Sequence, residues 1–168
     1  SDKWKELGKI NFFDWKHFDE SVVDIPFENE SFSLAVSCGV LEHVKETGGS
    51  DVKSLKEINR ILKKNGSFVI YHLPNKYSWI EFLAGFFKKD AHEFKYSFKS
   101  FVNILQESNT NFKIKKHFRY GILPRRSAKK IKNQYLRKLY DSLDKFFEKT
   151  PLVYLSQNHC FVLEKSFD

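Results

Sequence analysis

The sequence predicts an α/β sandwich: a mostly parallel sheet covered by helices. Three observations carry that reading. Phe32 to Ser37 is a short apolar run bounded by the acidic turn Glu28-Asn29-Glu30. It reads as a buried strand of a parallel sheet, although periodicity alone also admits a helix segment. Further on, Ser50 or Asp51 can cap a helix whose Val52, Leu55, Ile58 and Leu62 share one face, with Asn65-Gly66 as a left-handed stop. Ser67 to Leu73 is then a second apolar strand, closed by Pro74-Asn75. Such a strand–helix–strand unit is right-handed in nearly all proteins. Ligands of open α/β sheets bind outside the carboxyl ends of the strands, so Ser37 to His43 occupies the place where chemistry belongs.

The remaining elements follow in order. Lys9 to Asp14 can form a strand, Trp4 and Trp15 suit a packed setting, and Glu20 to Asp24 reads as a short strand ended by Pro26. Tyr77 to Phe87 predicts a helix with Trp79, Ile80, Leu83, Phe86 and Phe87 facing in; a lid over substrate is the alternative. Ser97 caps a helix carrying Phe98, Phe101, Val102 and Leu105 on one face. From Phe112 to Tyr120, apolar Phe112, Ile114, Phe118 and Tyr120 alternate with Lys113, Lys115, His117 and Arg119, predicting a strand with one wet, basic face. A helix from about Ala128 to Lys149 presents Tyr135, Leu136, Leu139, Tyr140, Leu143 and Phe147, and Thr150-Pro151 stops it. Cys160 to Glu164 is the closing strand.

Composition bounds the class. At 168 residues with 41% hydrophobic and 30% charged residues, the chain predicts one globular domain, 1–168, with much of its core from eighteen phenylalanines. There is no Met at all, so a processed, tagged or partial chain is expected. Cys38 and Cys160 lack CxxC spacing and read as buried free thiols of a reducing compartment. No signal-peptide pattern opens the sequence, and Trp79 to Phe87, interrupted by Glu81, is too short to span a bilayer. A soluble, cytoplasmic protein is therefore expected. The net charge of +8 is uneven: residues 1–50 sum to −5 and residues 101–150 to +9.

Ile25-Pro26-Phe27, the turn Glu28 to Phe32, Gly39-Val40-Leu41-Glu42-His43-Val44 and Leu55 to Gly66 occur in an order and spacing that resemble class I S-adenosylmethionine-dependent methyltransferases of the small-molecule branch. The similarity continues more loosely to about Pro124. It implies a Rossmann-like methyltransferase sandwich in which the strands at Phe32 and Ser67 are the fourth and fifth of the family's seven. Those at Phe112 and Cys160 would be the sixth and seventh, an antiparallel pair at the sheet edge. It implies S-adenosylmethionine as cofactor, with Ser37, Cys38 and Gly39 lining its methionine moiety. At the adenine side the family's usual Asp is replaced by Ser21, and Val22 would offer its backbone N–H. The family's glycine-rich loop is absent: none of the seven glycines forms a Gly-x-Gly after a strand, and only about thirty residues precede Phe32. An N-terminal strand–helix portion is thus expected to be missing, leaving weak cofactor binding by this chain alone.

Acceptor chemistry falls to Glu42, His43 and His72. His43 suits a general base, oriented by Glu42, and His72 ends its strand at the mouth of the crevice. His92 resembles a family histidine near substrate, and Asn75 and Tyr77 are further substrate-binding candidates. Some relatives bind a divalent metal through Glu-x-x-Glu-His at this place. Gly39 stands where the first Glu would be, so no metal is expected. The basic segment 113–138 is a solvated face or a contact for nucleic acid or an anionic membrane. Methyl transfer to a small-molecule acceptor is the leading reading. The alternative is a non-catalytic methyltransferase-like module that binds a partner or nucleic acid through its basic half.

Overall fold

A computed structural model of the chain describes residues 23–87 and 92–166. Its sheet is built outward from β2 (Leu62–Pro74), with β1 (Phe32–Cys38) parallel on one side and β4 (Asn158–Lys165) antiparallel on the other. β3 (Phe112–Tyr120) pairs antiparallel with β4, giving the order β1-β2-β4-β3. The mixed sheet with its antiparallel edge pair is the predicted one. β1 departs from expectation in burial. No described strand pairs with its outer edge, and Leu34 and Val36 are 54% and 60% exposed. A short apolar run specifies a strand, but only a second covering layer makes it a buried one.

Helix α1 (Asp51–Ile61) returns from β1 to β2. Ser50 caps it, accepting from the Lys53 N–H, and Leu55 and Ile61 are buried. The chain enters β2 directly at Leu62, so Asn65-Gly66 is not the helix stop. Asn65 does adopt a left-handed φ of 59°, inside the bulge that separates the Phe32–Leu62 and Leu34–Ser67 pairs. A Cβ at Gly66 would lie 2.8 Å from the Lys63 carbonyl oxygen, so glycine is required there by close backbone approach. The Ile25-Pro26-Phe27 segment is clasped onto α1. Arg60 donates to the carbonyls of Ile25 and Phe27, and Glu57 accepts from the Ile25 N–H while pairing with Arg60 at 2.8 Å. The hydrogen bonds from Arg60 hold the Glu57 carboxyl below its usual range.

The core lies on the α1/α3 side of the sheet, where α3 (Phe98–Glu107) sets Phe101 against Phe161 with ring centroids 4.1 Å apart. Ser97 and Ser100 form a reciprocal capping box. Phe98 of the predicted inner face is partly exposed, while Phe101 and Leu105 are buried. β3 corrects a second expectation. A bulge between Ile114 and Lys116 shifts its alternation, turning His117 inward onto Phe161 at 4.5 Å and leaving Phe118 exposed. One extra residue reverses every side chain after it.

The helical periphery differs most. In α2 (Trp79–Phe86) only the first turn meets the body, with Trp79 Nε1 donating to the Ile122 carbonyl. Leu83, Phe86 and Phe87, predicted to face in, are exposed, as is Phe82. The single helix expected over 128–149 is two, α4 (Arg125–Lys130) and α5 (Gln134–Phe147), because Asn133 caps a new start. On α5, Tyr135, Leu136, Leu139 and Leu143 face solvent, and Tyr140 and Phe147 are half-buried. Thr150 caps a 3-10 turn at Pro151–Leu155, the predicted stop. Cys160 is buried but Cys38 is exposed, and both are free thiols. Among the described residues, no helix is long and apolar enough to cross a membrane.

Candidate functional site

β1 ends at Cys38, and Gly39 turns the chain with φ +65°, its N–H donated to the Tyr71 carbonyl at 3.0 Å. That left-handed turn is why a small flexible residue follows the strand. The reversal drops Glu42 into the protein, 3% exposed, and leaves His43 at the rim. Beside it opens a cleft of about 330 Å³ lined by Val36, Ser37, Gly39 and His43 on one side and Ser54 and Ile58 of α1 on the other. Ser37 and Gly39 therefore stand where the cofactor wall was predicted, whereas Cys38 does not line the cleft. Ser21 and Val22 lie outside the described residues; Val23 and Ile25, which follow them, line the same cleft.

His43 has a partner other than the one foreseen. Its Nδ1 contacts Glu46 Oε2 at 2.7 Å, one helical turn on, while Glu42 Oε1 is 4.0 Å from Nε2. The orienting carboxylate is Glu46. Glu42 faces the other ring nitrogen from the buried side, and burial pushes its carboxyl above the usual range. The segment before α3 brings His92 alongside, its ring centroid 5.8 Å from that of His43. Glu81 of α2 receives both the His92 N–H, at 3.0 Å, and Nδ1, at 2.9 Å. That hydrogen bond raises the His92 pKa above 6.5. Burial opposes ionisation of Glu81, but the bonds from His92 outweigh it and its pKa is lowered. Sequence reasoning missed Glu46 and Glu81. The signal for Glu81 was its lone charge inside the apolar stretch Trp79 to Phe87.

His72 also reaches this corner. A Cβ at Gly39 would sit 4.0 Å from the His72 Cβ and 3.7 Å from Glu42 Oε1. His72 holds a φ of 65°, rare for a residue with a side chain, at the irregularity between Ile70 and Leu73. Tyr120 Oη stabilises that kink, accepting from the His72 N–H at 2.8 Å and meeting Nδ1 at 3.1 Å. Tyr120 is in turn stacked on Tyr71, 4.8 Å between centroids. Asn75 is not available to a substrate. It is fully buried, donates to the carbonyls of Tyr154 and Ser156, and accepts from the Tyr77 N–H. Its role is to fasten the end of β2 to the 3-10 turn. Tyr77 itself is 56% exposed.

Two chemistries suit the cluster. An imidazole whose Nδ1 is held by a carboxylate presents Nε2 as a proton acceptor. Glu42, His43 and His92 also offer three ligand atoms within 4.8 Å of one another. Two imidazoles and a carboxylate, with Glu46 and Glu81 behind the rings, are a donor set that suits a divalent transition metal. Gly39 argued against a metal in the sequence; the fold supplies His92 as the third donor instead.

A family model described as a methyltransferase domain matches residues 2–70. Among curated protein sequences there is no significant match. Solved structures share the fold at low identity. A chain of the Haloferax volcanii complex containing the Trm112 methyltransferase activator is 13% identical, with 90% of this chain and 60% of that one covered and a TM-score of 0.52. An S-adenosylmethionine-dependent methyltransferase from Archaeoglobus fulgidus is 14% identical, covers 98% and 73%, and has a TM-score of 0.52. YcgJ from Bacillus subtilis is 13% identical, covers 99% and 76%, and has a TM-score of 0.56. The chain thus spans 60% to 76% of these three structures. Residues 2–70 are thus similar to a methyltransferase domain, and the described residues share the fold of these solved structures.

Proposed function

We propose that the chain contributes the acceptor side and one cofactor wall to methyl transfer from S-adenosylmethionine onto a small molecule. The observation that carries this is the convergence of Glu42 and His92 on His43, which lines the cleft together with Ser37 and Gly39. The cofactor, when bound, supplies an already activated methyl group, so the protein's task is to position the acceptor and exclude water. His43 takes the acceptor's proton at Nε2, and Glu46 stabilises the resulting imidazolium through Nδ1. His92, its pKa raised by Glu81, adds positive charge beside an acceptor that becomes an anion.

The cleft fits part of the cofactor only. Ile25, Val36 and Ile58 give it apolar walls and Ser37, Thr47 and Ser54 hydroxyls. Among the described residues lining it there is no Lys, Arg or carboxylate to meet the cofactor's carboxylate and ammonium. Calorimetric titration of the cofactor into this chain, and into a protein extended upstream, tests the reading. Weak or absent binding by the chain and micromolar binding by the extended protein are expected; each lost charged hydrogen bond is worth ~1.5–3 kcal/mol. Failure of the extended protein to bind or to transfer a labelled methyl group overturns it and leaves a non-catalytic module.

The three-donor geometry favours one variation on this reading, in which Glu42, His43 and His92 would hold a divalent cation that would act as a Lewis acid toward the acceptor. Titration with Mn²⁺ or Zn²⁺ in wild type and His92→Ala decides between the two. The free thiols at Cys38 and Cys160 support a cytoplasmic location.

A further inference from the structure

Helix α5 is mounted with its polar side inward. Arg137 donates to the Ala128 carbonyl and Tyr140 Oη to that of Pro124. Asp144 accepts from the N–H groups of Ile122 and Leu123, and Glu148 just beyond the helix accepts from that of Gly121. These residues recur at i, i+3, i+7 and i+11, one face of a helix. The opposite face carries Tyr135, Leu136, Leu139, Leu143 and Phe146, all exposed, with Phe146 at 61%. Soluble helices bury that stripe. Helix α2, fixed to the same 121–124 segment through Trp79 and Ile122, also exposes Phe82, Phe86 and Phe87.

Charge around this apolar surface has one sign. Lys129, Lys130, Lys132, Lys138, Lys145 and Lys149 are exposed, with Lys138, Lys145 and Lys149 forming a row at i, i+7 and i+11. Of the nearby acids, Asp144 and Glu148 are turned onto backbone N–H groups and Asp141 pairs with Arg137 at 3.3 Å. We propose that α5 docks this domain onto an anionic lipid surface, the apolar stripe entering the headgroup region and the lysines meeting lipid phosphates. A basic amphipathic helix lying in the interface has this composition, and no described helix is long enough to span instead. Nucleic acid would satisfy the lysines but leave five apolar side chains in water. An antiparallel two-fold pairing of two copies through this stripe would set the lysine rows against each other.

The test is co-sedimentation of the full-length protein with vesicles of phosphatidylcholine alone and of phosphatidylcholine mixed with phosphatidylglycerol. Binding to the mixed vesicles and little to the neutral ones is expected. Leu139→Glu/Phe146→Glu should weaken binding to the mixed vesicles by about tenfold or more. Lys129→Glu/Lys130→Glu/Lys132→Glu should do so by at least a similar factor. Thermal melts by circular dichroism establish that the variants fold, and Leu139→Ser/Phe146→Ser replaces the first if it does not. Three results overturn the proposal: no partition onto mixed vesicles, partition that both variants retain, or a dimer in sedimentation equilibrium that Leu139→Glu dissociates. Binding to a polyuridine oligonucleotide that survives Leu139→Glu, without vesicle binding, would assign the lysines to nucleic acid instead.

Discussion

Two histidine pairs in this domain meet opposite fates. His43 lines the cleft and His92 stands beside it, each with a carboxylate on Nδ1, and the hydrogen bond that His92 donates to Glu81 raises the His92 pKa. His117 and His159 also lie side by side, with Nε2 of one 2.8 Å from Nδ1 of the other. No described carboxylate faces them. Burial first, then the charge of Arg119, pushes His117 down to about 4; burial first, then His117 and Arg119 beside it, push His159 down to about 3. Since His159 Nε2–H donates to the Tyr96 carbonyl, its Nδ1 accepts from His117 Nε2–H, and the chain of bonds is complete with both rings neutral. The same side chain is placed to carry a proton beside an anion and is a packing group in the core. Function follows from the partner and the exposure, and the presence of a histidine decides nothing alone.

The largest effect that sharpens this contrast is on turnover. In the complete enzyme, His43→Ala should lower kcat by ~10²–10⁴ while cofactor affinity holds, the usual worth of a positioned base. His117→Ala should leave the kcat of the folded fraction within about twofold. A His43→Ala enzyme retaining half its turnover would end the general-base assignment. Stability should show the reverse order. His159→Ala empties a fully buried site, unpairs the His117 ring and leaves the Tyr96 carbonyl with the Lys76 N–H alone. It should cost ~2–4 kcal/mol in guanidinium unfolding, against ~0.5 or less for His43→Ala.

The pairs should also differ in the sign of their pH dependence. The unfolded chain protonates the inner histidines near 6.5, whereas the native one holds them neutral down to about 4 and about 3. Their contribution is therefore fully present above 6.5 and is lost as pH falls through that window. His92, with its native pKa raised, contributes below 6.5, and this is lost as pH rises through the raised value. Urea unfolding from acid to neutral pH, in wild type and in His92→Gln, separates the two slopes; equal slopes would mean that Glu81 does not hold the proton on His92. The smallest expected effect is local. Glu81→Gln removes the anion beside His92, so its pKa, followed by NMR titration, should fall back towards 6.5, with His117 and His159 unmoved.

Much of the site was legible because it is contiguous. The strand, the Gly39 bend and the Glu42-His43 pair lie within a dozen residues, and a turn after a strand end is a local event. Asn75 looked like a substrate contact for the same reason: it follows a strand at the mouth of the crevice. Only the position of residues 154–156, some eighty positions later, shows that its amide is used in fastening the turn.

By itself the sequence determined where the elements lie and what the bend after β1 carries, since caps, apolar runs and small residues act within a few positions. The antiparallel pair at the sheet edge followed from its resemblance to a family, and the order β1-β2-β4-β3 came with the structure. Tertiary structure alone decided which faces are covered. The Leu34–Val36 strand, the α2 phenylalanines and the α5 leucines have the pattern of core yet stand exposed, because burial depends on what packs against a stripe. It also decided phase and company. One bulge turned His117 inward. The chain fold then brought His92 and Glu81 to within reach of a pair fixed some forty to fifty residues earlier, which no spacing in the sequence encodes.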